Sequence, residues 1–123
     1  MDDKYQVEFF ERESGSYPAE EYIDSLDVKM SAKVYWTLGM LEQNGPELRE
    51  PYSKHLNDGI FEVRVQVANN LARVLFFFYV GKRIILTHGF TKKTRKTPPS
   101  EIDKAKMYRK EFTESEASKD ENP

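Results

Sequence analysis

The chain of 123 residues contains no cysteine. A disulfide framework, a thiolate metal site and a cysteine nucleophile are therefore excluded, and the composition suits a reducing compartment. The longest apolar run, residues 74–80, is too short to cross a bilayer. No apolar stretch follows the charged start of the chain, so we expect neither a membrane interaction nor a signal peptide.

Histidine is also scarce, since the chain has only two, His55 and His88. Few carboxylates lie near either of them in the sequence. Two histidines with so few acidic neighbours make a poor metal cage, because a protein metal site needs three or four converging ligands. We therefore expect a protein that needs no metal and no other cofactor.

The net charge of −2 hides a strong asymmetry along the chain. Residues 54–96 carry nine Lys and Arg against two acids, Asp58 and Glu62, which is a formal charge of +7. The remainder carries ten bases against nineteen acids. A concentrated basic region of this kind commonly faces a polyanion. The nine basic residues are Lys54, Arg64, Arg73, Lys82, Arg83, Lys92, Lys93, Arg95 and Lys96.

Hydrophobic periodicity predicts an α+β fold with the order β-α-α-β-β-β-α. The expected elements are strand 5–10, helices 19–26 and 27–44, strands 60–67, 71–80 and 83–91, and a last helix that begins at the Thr97-Pro98 pair. We expect the helices to pack on one face of a twisted, mostly antiparallel sheet. Residues 1–112 should form a single domain, and the polar, acidic residues 113–123 a disordered tail.

The expected turns at 69–70 and 81–82 set the strand register. With this register Arg64, Arg73, His88 and Phe90 share the sheet face that the helices leave uncovered. Two interpretations remain open at this point. The face binds phosphate, or Arg64 simply pairs with Glu62 and the other cations are solvated surface.

Three blocks of sequence carry a family resemblance. They are Lys54-His55-Leu56 with Gly59-Ile60-Phe61-Glu62-Val63-Arg64, then Arg73-Val74-Leu75-Phe76, then His88-Gly89-Phe90-Thr91-Lys92-Lys93-Thr94-Arg95-Lys96-Thr97-Pro98. Together with Glu101, Ile102 and Ala105 they resemble the phage-derived HigB-like branch of the RelE/HigB toxin superfamily. The blocks occur in the order and at the spacing that this family shows. The resemblance covers residues 54–112.

The resemblance implies a RelE-like fold and a cytoplasmic toxin of a type II toxin–antitoxin system, which cleaves mRNA on the ribosome. It implies a helix-turn-helix, HigA-like antitoxin as partner, besides the ribosome and mRNA. Two alternatives stay open: a ParE-like gyrase poison of the same fold, and a non-catalytic RNA-binding module that uses the same basic face. The residues expected to be catalytic are Lys54, His55, Arg64, Arg73 and His88, and those expected to bind RNA are Phe90, Lys92, Lys93, Arg95 and Lys96.

The expected chemistry is attack of the RNA 2′-hydroxyl on the neighbouring phosphorus, which requires no metal. Guanidinium groups such as those of Arg64 and Arg73 suit stabilisation of the extra negative charge on phosphorus. The side chains of His55, His88 and Lys54 are candidates for proton transfer. The ring of Phe90 is a candidate for stacking on a base.

Overall fold

The computed structural model describes residues 4–93 and 95–120. It confirms an α+β architecture with three α-helices and a five-stranded sheet. None of the helices in these two ranges has the length and apolar content of a membrane span. The elements are β1 (Gln6–Phe9), α1 (Pro18–Asp24), α2 (Val28–Asn44), a 3₁₀ turn (Gly45–Glu47), β2 (Ser53–Asn57), β3 (Ile60–Val67), β4 (Asn70–Tyr79), β5 (Arg83–Thr91) and α3 (Pro99–Asp120).

The strand order in the sheet is β1-β5-β4-β3-β2. Strand β1 pairs in parallel with β5, and the other pairs are antiparallel. Strand β2 was not expected, because the sequence predicts a loop at residues 53–57. In this strand Ser53 pairs with Val63 and Lys54 with Glu62. These pairs satisfy the backbone N–H and C=O groups of β3, which would otherwise be the edge of the sheet. The observed order is therefore β-α-α-β-β-β-β-α.

Helices α1 and α2 cover one face of the sheet. Helix α2 begins at Asp27, whose side chain accepts a hydrogen bond from the Met30 backbone at 2.8 Å, as a capping residue does. The apolar stripe of this helix, formed by Met30, Val34, Leu38 and Leu41, is buried. The core on this side consists of Ala19, Ile23, Met30, Val34, Leu38 and Leu41 from the helices and of Val63, Val65, Ala72, Val74, Phe76, Ile84 and Leu86 from the strands.

Helix α3 packs on the opposite face, so the expectation that all helices share one face was wrong. Strand β4 is apolar on both faces and therefore needs cover on both sides. Helix α3 supplies the second cover and creates a second core. Its members are Phe10, Ile60, Leu75, Phe77, Ile85, Phe90, Ala105, Tyr108 and Phe112.

A bulge in β5 keeps the far part of the sheet in the predicted register. The loop between β4 and β5 has three residues rather than two, since Tyr79 pairs with Arg83. Thr87 is then the extra residue, and beyond it the predicted pair of Leu75 with His88 is observed. Between the loop and the bulge the pairing is shifted by one residue relative to the expected register. Ile85 therefore lies in the α3 core, whereas that register would place it beneath α1 and α2.

Helix α3 continues to Asp120, through most of the segment expected to be a disordered tail. One physical reason is that Glu116, an acidic residue of this segment, has basic partners in Arg83 and Lys119. Glu116 accepts a hydrogen bond from the Arg83 guanidinium at 2.7 Å, and its side chain is only 15% exposed. The boundary expected at residue 112 thus falls inside a helix, while residues 121–123 lie outside the described part of the chain.

Candidate functional site

Strands β3 and β4 place two arginines directly opposite each other. Arg64 pairs with Arg73, and Arg73 pairs in turn with Phe90 on β5. The turn between β3 and β4 occupies residues 68–69, one residue earlier than expected, since Val67 pairs with Asn70. This displacement moves each pairing by two positions and leaves every side chain on its predicted face. The predicted alignment of Arg64, Arg73 and Phe90 on one face is therefore present.

A buried carboxylate joins these arginines. The Glu62 side chain is fully buried and accepts hydrogen bonds from Arg64 Nε and Thr97 Oγ1, both at 2.5 Å. The Arg73 Nη1 atom donates to the same Thr97 hydroxyl at 3.4 Å. Burial lowers the pKa of Arg73, and the negative charge of Glu62 opposes that effect. Glu62 therefore compensates two like charges that would otherwise repel across the strands.

The two arginines differ in their access to solvent. Arg73 is 0% exposed, so it cannot touch a substrate phosphate in this arrangement, contrary to the expectation of an uncovered arginine. The Arg64 side chain is 19% exposed, and it also donates to the backbone carbonyl of Arg95. Arg64 is thus both accessible and held in place by two neighbours.

Lys54 and His55 point in opposite directions because they are successive residues of a strand. Lys54 pairs with Glu62, is exposed, and shares the sheet face of Arg64. His55 pairs with Phe61, its ring centre lies 4.9 Å from that of Phe61, and its Nε2 accepts a hydrogen bond from the Gly59 backbone. The structure therefore groups Lys54 with Arg64 and leaves His55 on the other face.

His88 and Phe90 lie beneath α3 rather than on an open face. His88 is 3% exposed, and its Nε2 lies 3.0 Å from a Glu101 carboxyl oxygen. Burial lowers the pKa of His88, against the opposing effect of Glu101. The Phe90 ring packs in the α3 core and lies 5.7 Å from the Arg73 guanidinium. In this arrangement the Phe90 ring is not accessible for stacking on an RNA base, and the His88 ring is not accessible for proton transfer to RNA.

The basic segment after β5 is at the surface. Lys92, Lys93, Arg95 and Lys96 are all exposed, while Thr94 lies outside the described residues. The predicted charge of +7 does not form one patch, however. Arg73 is buried, and Arg83 lies at the far end of β5, where Glu8 accepts its hydrogen bonds at 2.6 and 2.9 Å.

Sequence reasoning assigned no site role to Glu62 or Thr97. Thr97 was expected to cap α3, but its hydroxyl binds Glu62 instead and the helix begins at Pro99. The sequence did contain a signal for the Glu62 contact with Arg64. Glu62 is an acid within a basic segment, and it lies two residues from Arg64 on the same face of the strand. Among the described residues, no three His, Asp or Glu side chains are grouped as metal ligands.

A comparison with known families finds one match that spans most of the site. The family described as "Phage derived protein Gp49-like (DUF891)" matches residues 21–110. The matched region contains all of β2 to β5, the Glu62 network and the basic segment. No curated protein matches the chain.

Proposed function

This chain belongs to the Gp49-like family of phage-derived proteins, a family of RelE/HigB-like toxins, and from this membership we propose that it is the toxin of a type II toxin–antitoxin system. Its proposed activity is cleavage of mRNA on the ribosome, in the cytoplasm. Its proposed partners are the ribosome, the mRNA and a HigA-like helix-turn-helix antitoxin that neutralises it.

The observation that carries this proposal is the immobilised, accessible guanidinium of Arg64. A buried carboxylate and a backbone carbonyl fix it from two sides. Lys54 lies on the same sheet face, opposite Glu62, which is two residues from Arg64 on β3. Preorganised positive charge at a surface is what stabilisation of a phosphorane requires, because no reorganisation is then needed during the reaction. A planar guanidinium also matches the geometry of two phosphate oxygens.

The reaction proposed for these residues is an internal phosphoryl transfer within the RNA. The 2′-oxygen bonds to the adjacent phosphorus, the bond from phosphorus to the 5′-oxygen breaks, and the 2′-hydroxyl proton leaves to water. Arg64 stabilises the added negative charge, and the Lys54 ammonium donates a proton to the leaving 5′-oxygen. The products are a 2′,3′-cyclic phosphate and a free 5′-hydroxyl.

The buried members of the network act on Arg64 rather than on RNA. Arg73 donates to the Thr97 hydroxyl, Thr97 donates to Glu62, and Glu62 accepts from Arg64. They are therefore proposed as positioning residues. The exposed Lys92, Lys93, Arg95 and Lys96 are proposed to contact phosphates of mRNA or ribosomal RNA, which would make binding strongly dependent on salt.

A translating extract tests this function directly. Addition of the full chain should yield truncated mRNA, whereas Arg64→Lys, which keeps the charge but loses the guanidinium fork, should cut at least tenfold more slowly. Arg49→Lys is the matched control, because Arg49 is exposed and outside the network. Intact mRNA together with inhibition of DNA supercoiling by gyrase would instead indicate a gyrase poison, and intact mRNA without that inhibition a non-catalytic RNA binder.

A further inference from the structure

A cleft opens next to Arg64, on the side away from Lys54. It has a volume of about 680 Å³, within the range of sites that hold small ligands. It lies between α2, the segment before β2 and the hairpin of β3 and β4. Its charged, amide and aromatic lining residues are Lys33, Glu50, Tyr52, Arg64, Gln66 and Arg95.

The charge of the cleft suits an anion. Three of its lining residues are cations, and Glu50 is the one acid among them. The Lys33 ammonium is fixed at 2.6 Å from the Gln66 carbonyl and retains two further N–H donors. Arg64 is fixed by its bond to the Arg95 carbonyl, which brings the two arginines to the same wall.

The cleft also presents an aromatic surface. The Tyr52 side chain lines it and is 38% exposed. The Tyr52 backbone carbonyl accepts a hydrogen bond from the Arg64 backbone at 2.9 Å, so its position is tied to β3. Trp36, 59% exposed, lies edge-on to the Tyr52 ring with centres 6.5 Å apart. Exposed rings beside fixed cations are the combination that binds single-stranded nucleic acid.

We infer that this cleft binds one nucleotide of single-stranded RNA, its base against Tyr52 and its phosphate near Arg64, Arg95 and Lys33. The inference rests on the proposed function, since it takes the bound nucleotide to be the neighbour of the one that is cut. RNA fits better than a protein partner because Arg64 is shared between the cleft and the proposed site of cleavage. A strand bound at Arg64 is therefore already at the wall of the cleft.

The binding test uses the full chain and a 2′-O-methyl RNA tetranucleotide, which 2′-hydroxyl attack cannot cleave. Fluorescence anisotropy of the labelled oligonucleotide gives the affinity, and the emission of Trp36, the only tryptophan, reports on the cleft. We expect saturable binding that changes Trp36 emission. Tyr52→Ala should weaken binding about tenfold or more, in the range attributed to one stacked base, whereas Tyr52→Phe should bind as wild type does.

Tyr35→Ala is the matched control, because Tyr35 is an exposed tyrosine of α2 that does not line the cleft. Equal affinities of Tyr52→Ala and Tyr35→Ala would overturn the inference, as would binding that leaves Trp36 emission unchanged. A Tyr52→Ala chain that binds RNA normally but fails to bind its antitoxin would assign the cleft to a protein and overturn it too.

The two proposals fail in different ways. If the tetranucleotide binds with the expected pattern while the wild-type chain cuts no mRNA on ribosomes, the nucleotide cleft stands and the proposed cleavage is wrong. If the wild-type chain cuts mRNA and Tyr52→Ala leaves oligonucleotide affinity unchanged, the cleavage stands and the cleft is wrong.

Discussion

At the scale of single residues, the behaviour of the site depends on Glu62. Arg64 and Arg73 are directly opposite on neighbouring strands, where like charges destabilise a sheet. A fully buried carboxylate with a hydrogen bond to each oxygen turns this repulsion into a fixed network. The same contacts restrict the Arg64 side chain, so stability and function should depend on Glu62 together.

Glu62→Gln should lower the free energy of unfolding by about 2 kcal/mol, the order of a hydrogen bond to a charged group. Urea denaturation measures this, and Glu114→Gln, at an exposed position of α3, is the control. In cleavage assays Glu62→Gln should reduce kcat with little change in KM, because Arg64 is misplaced rather than lost. A variant with wild-type kcat would show that Glu62 does not position Arg64.

His88 should make the stability of the protein depend on pH. Burial lowers its pKa in the folded state, so near and below pH 6.5 the unfolded chain binds a proton that the folded chain does not. The free energy of unfolding should therefore fall as the pH falls through this range, by at most about 1.4 kcal/mol per pH unit. Thr87, Glu101, Lys104 and Tyr108 are the groups that face the ring.

The measurement is urea denaturation at a series of pH values. His88→Gln should remove most of the slope between pH 7 and pH 5.5. A slope that persists unchanged in His88→Gln would contradict the assignment.

At the scale of secondary-structure elements, strand alternation predicted which residues share a face. Arg64, Arg73, His88 and Phe90 do share one, even though both connecting turns differ from those expected. Burial of three of these four was not predictable from that alternation, because the cover comes from α3. Periodicity shows that α3 has an apolar side, but not which face of the sheet that side meets.

Helix α1 approaches β5 unusually closely, through a glycine. A Cβ atom at Gly89 would lie 2.1 Å from the Tyr22 ring, and the Tyr22 hydroxyl lies 2.6 Å from Thr91 Oγ1. The absence of a side chain at Gly89 therefore lets the ring lie against the strand. This contact holds α1 at the end of β5 where the basic segment begins.

Gly89→Ala should lower the free energy of unfolding by about 1–3 kcal/mol, as expected for overpacking. Gly39→Ala should act in the opposite direction, because Gly39 lies inside α2 and a Cβ there would contact nothing within 4 Å. It should stabilise by about 0.5–1 kcal/mol through helix propensity. Thermal and urea denaturation of the two single variants compare them, and equal effects would refute the role of the Tyr22 contact.

At the scale of the whole molecule, both faces of the sheet are covered by helices, so RNA has access mainly at its edges and loops. The sequence predicted a single basic face, whereas the structure buries one cation of that set and pairs another with acids far away. The charge count could not show this because it depends on tertiary packing. Of the remaining cations, Lys82 is exposed in the loop between β4 and β5, and the others are on β2, on β3 and in the segment after β5.

With this distribution of charge, we expect the proposed cleavage to require a ribosome for efficiency. The cleft beside Arg64, about 680 Å³ in volume, has room for about one nucleotide. A protein that grips free RNA typically uses a longer groove with a series of stacking rings. We therefore expect the ribosome to hold the mRNA while the exposed cations dock the protein, in a manner that weakens steeply with added salt.

The most direct test is primer extension on one mRNA in a reconstituted translation system, with and without ribosomes, at physiological salt. We expect a cut only when ribosomes are present, and none when the nucleotide at the cut carries a 2′-O-methyl group. Cutting of the naked mRNA at a comparable rate, or a cut that survives the 2′-O-methyl group, would contradict the proposed ribosome-dependent attack by the 2′-hydroxyl.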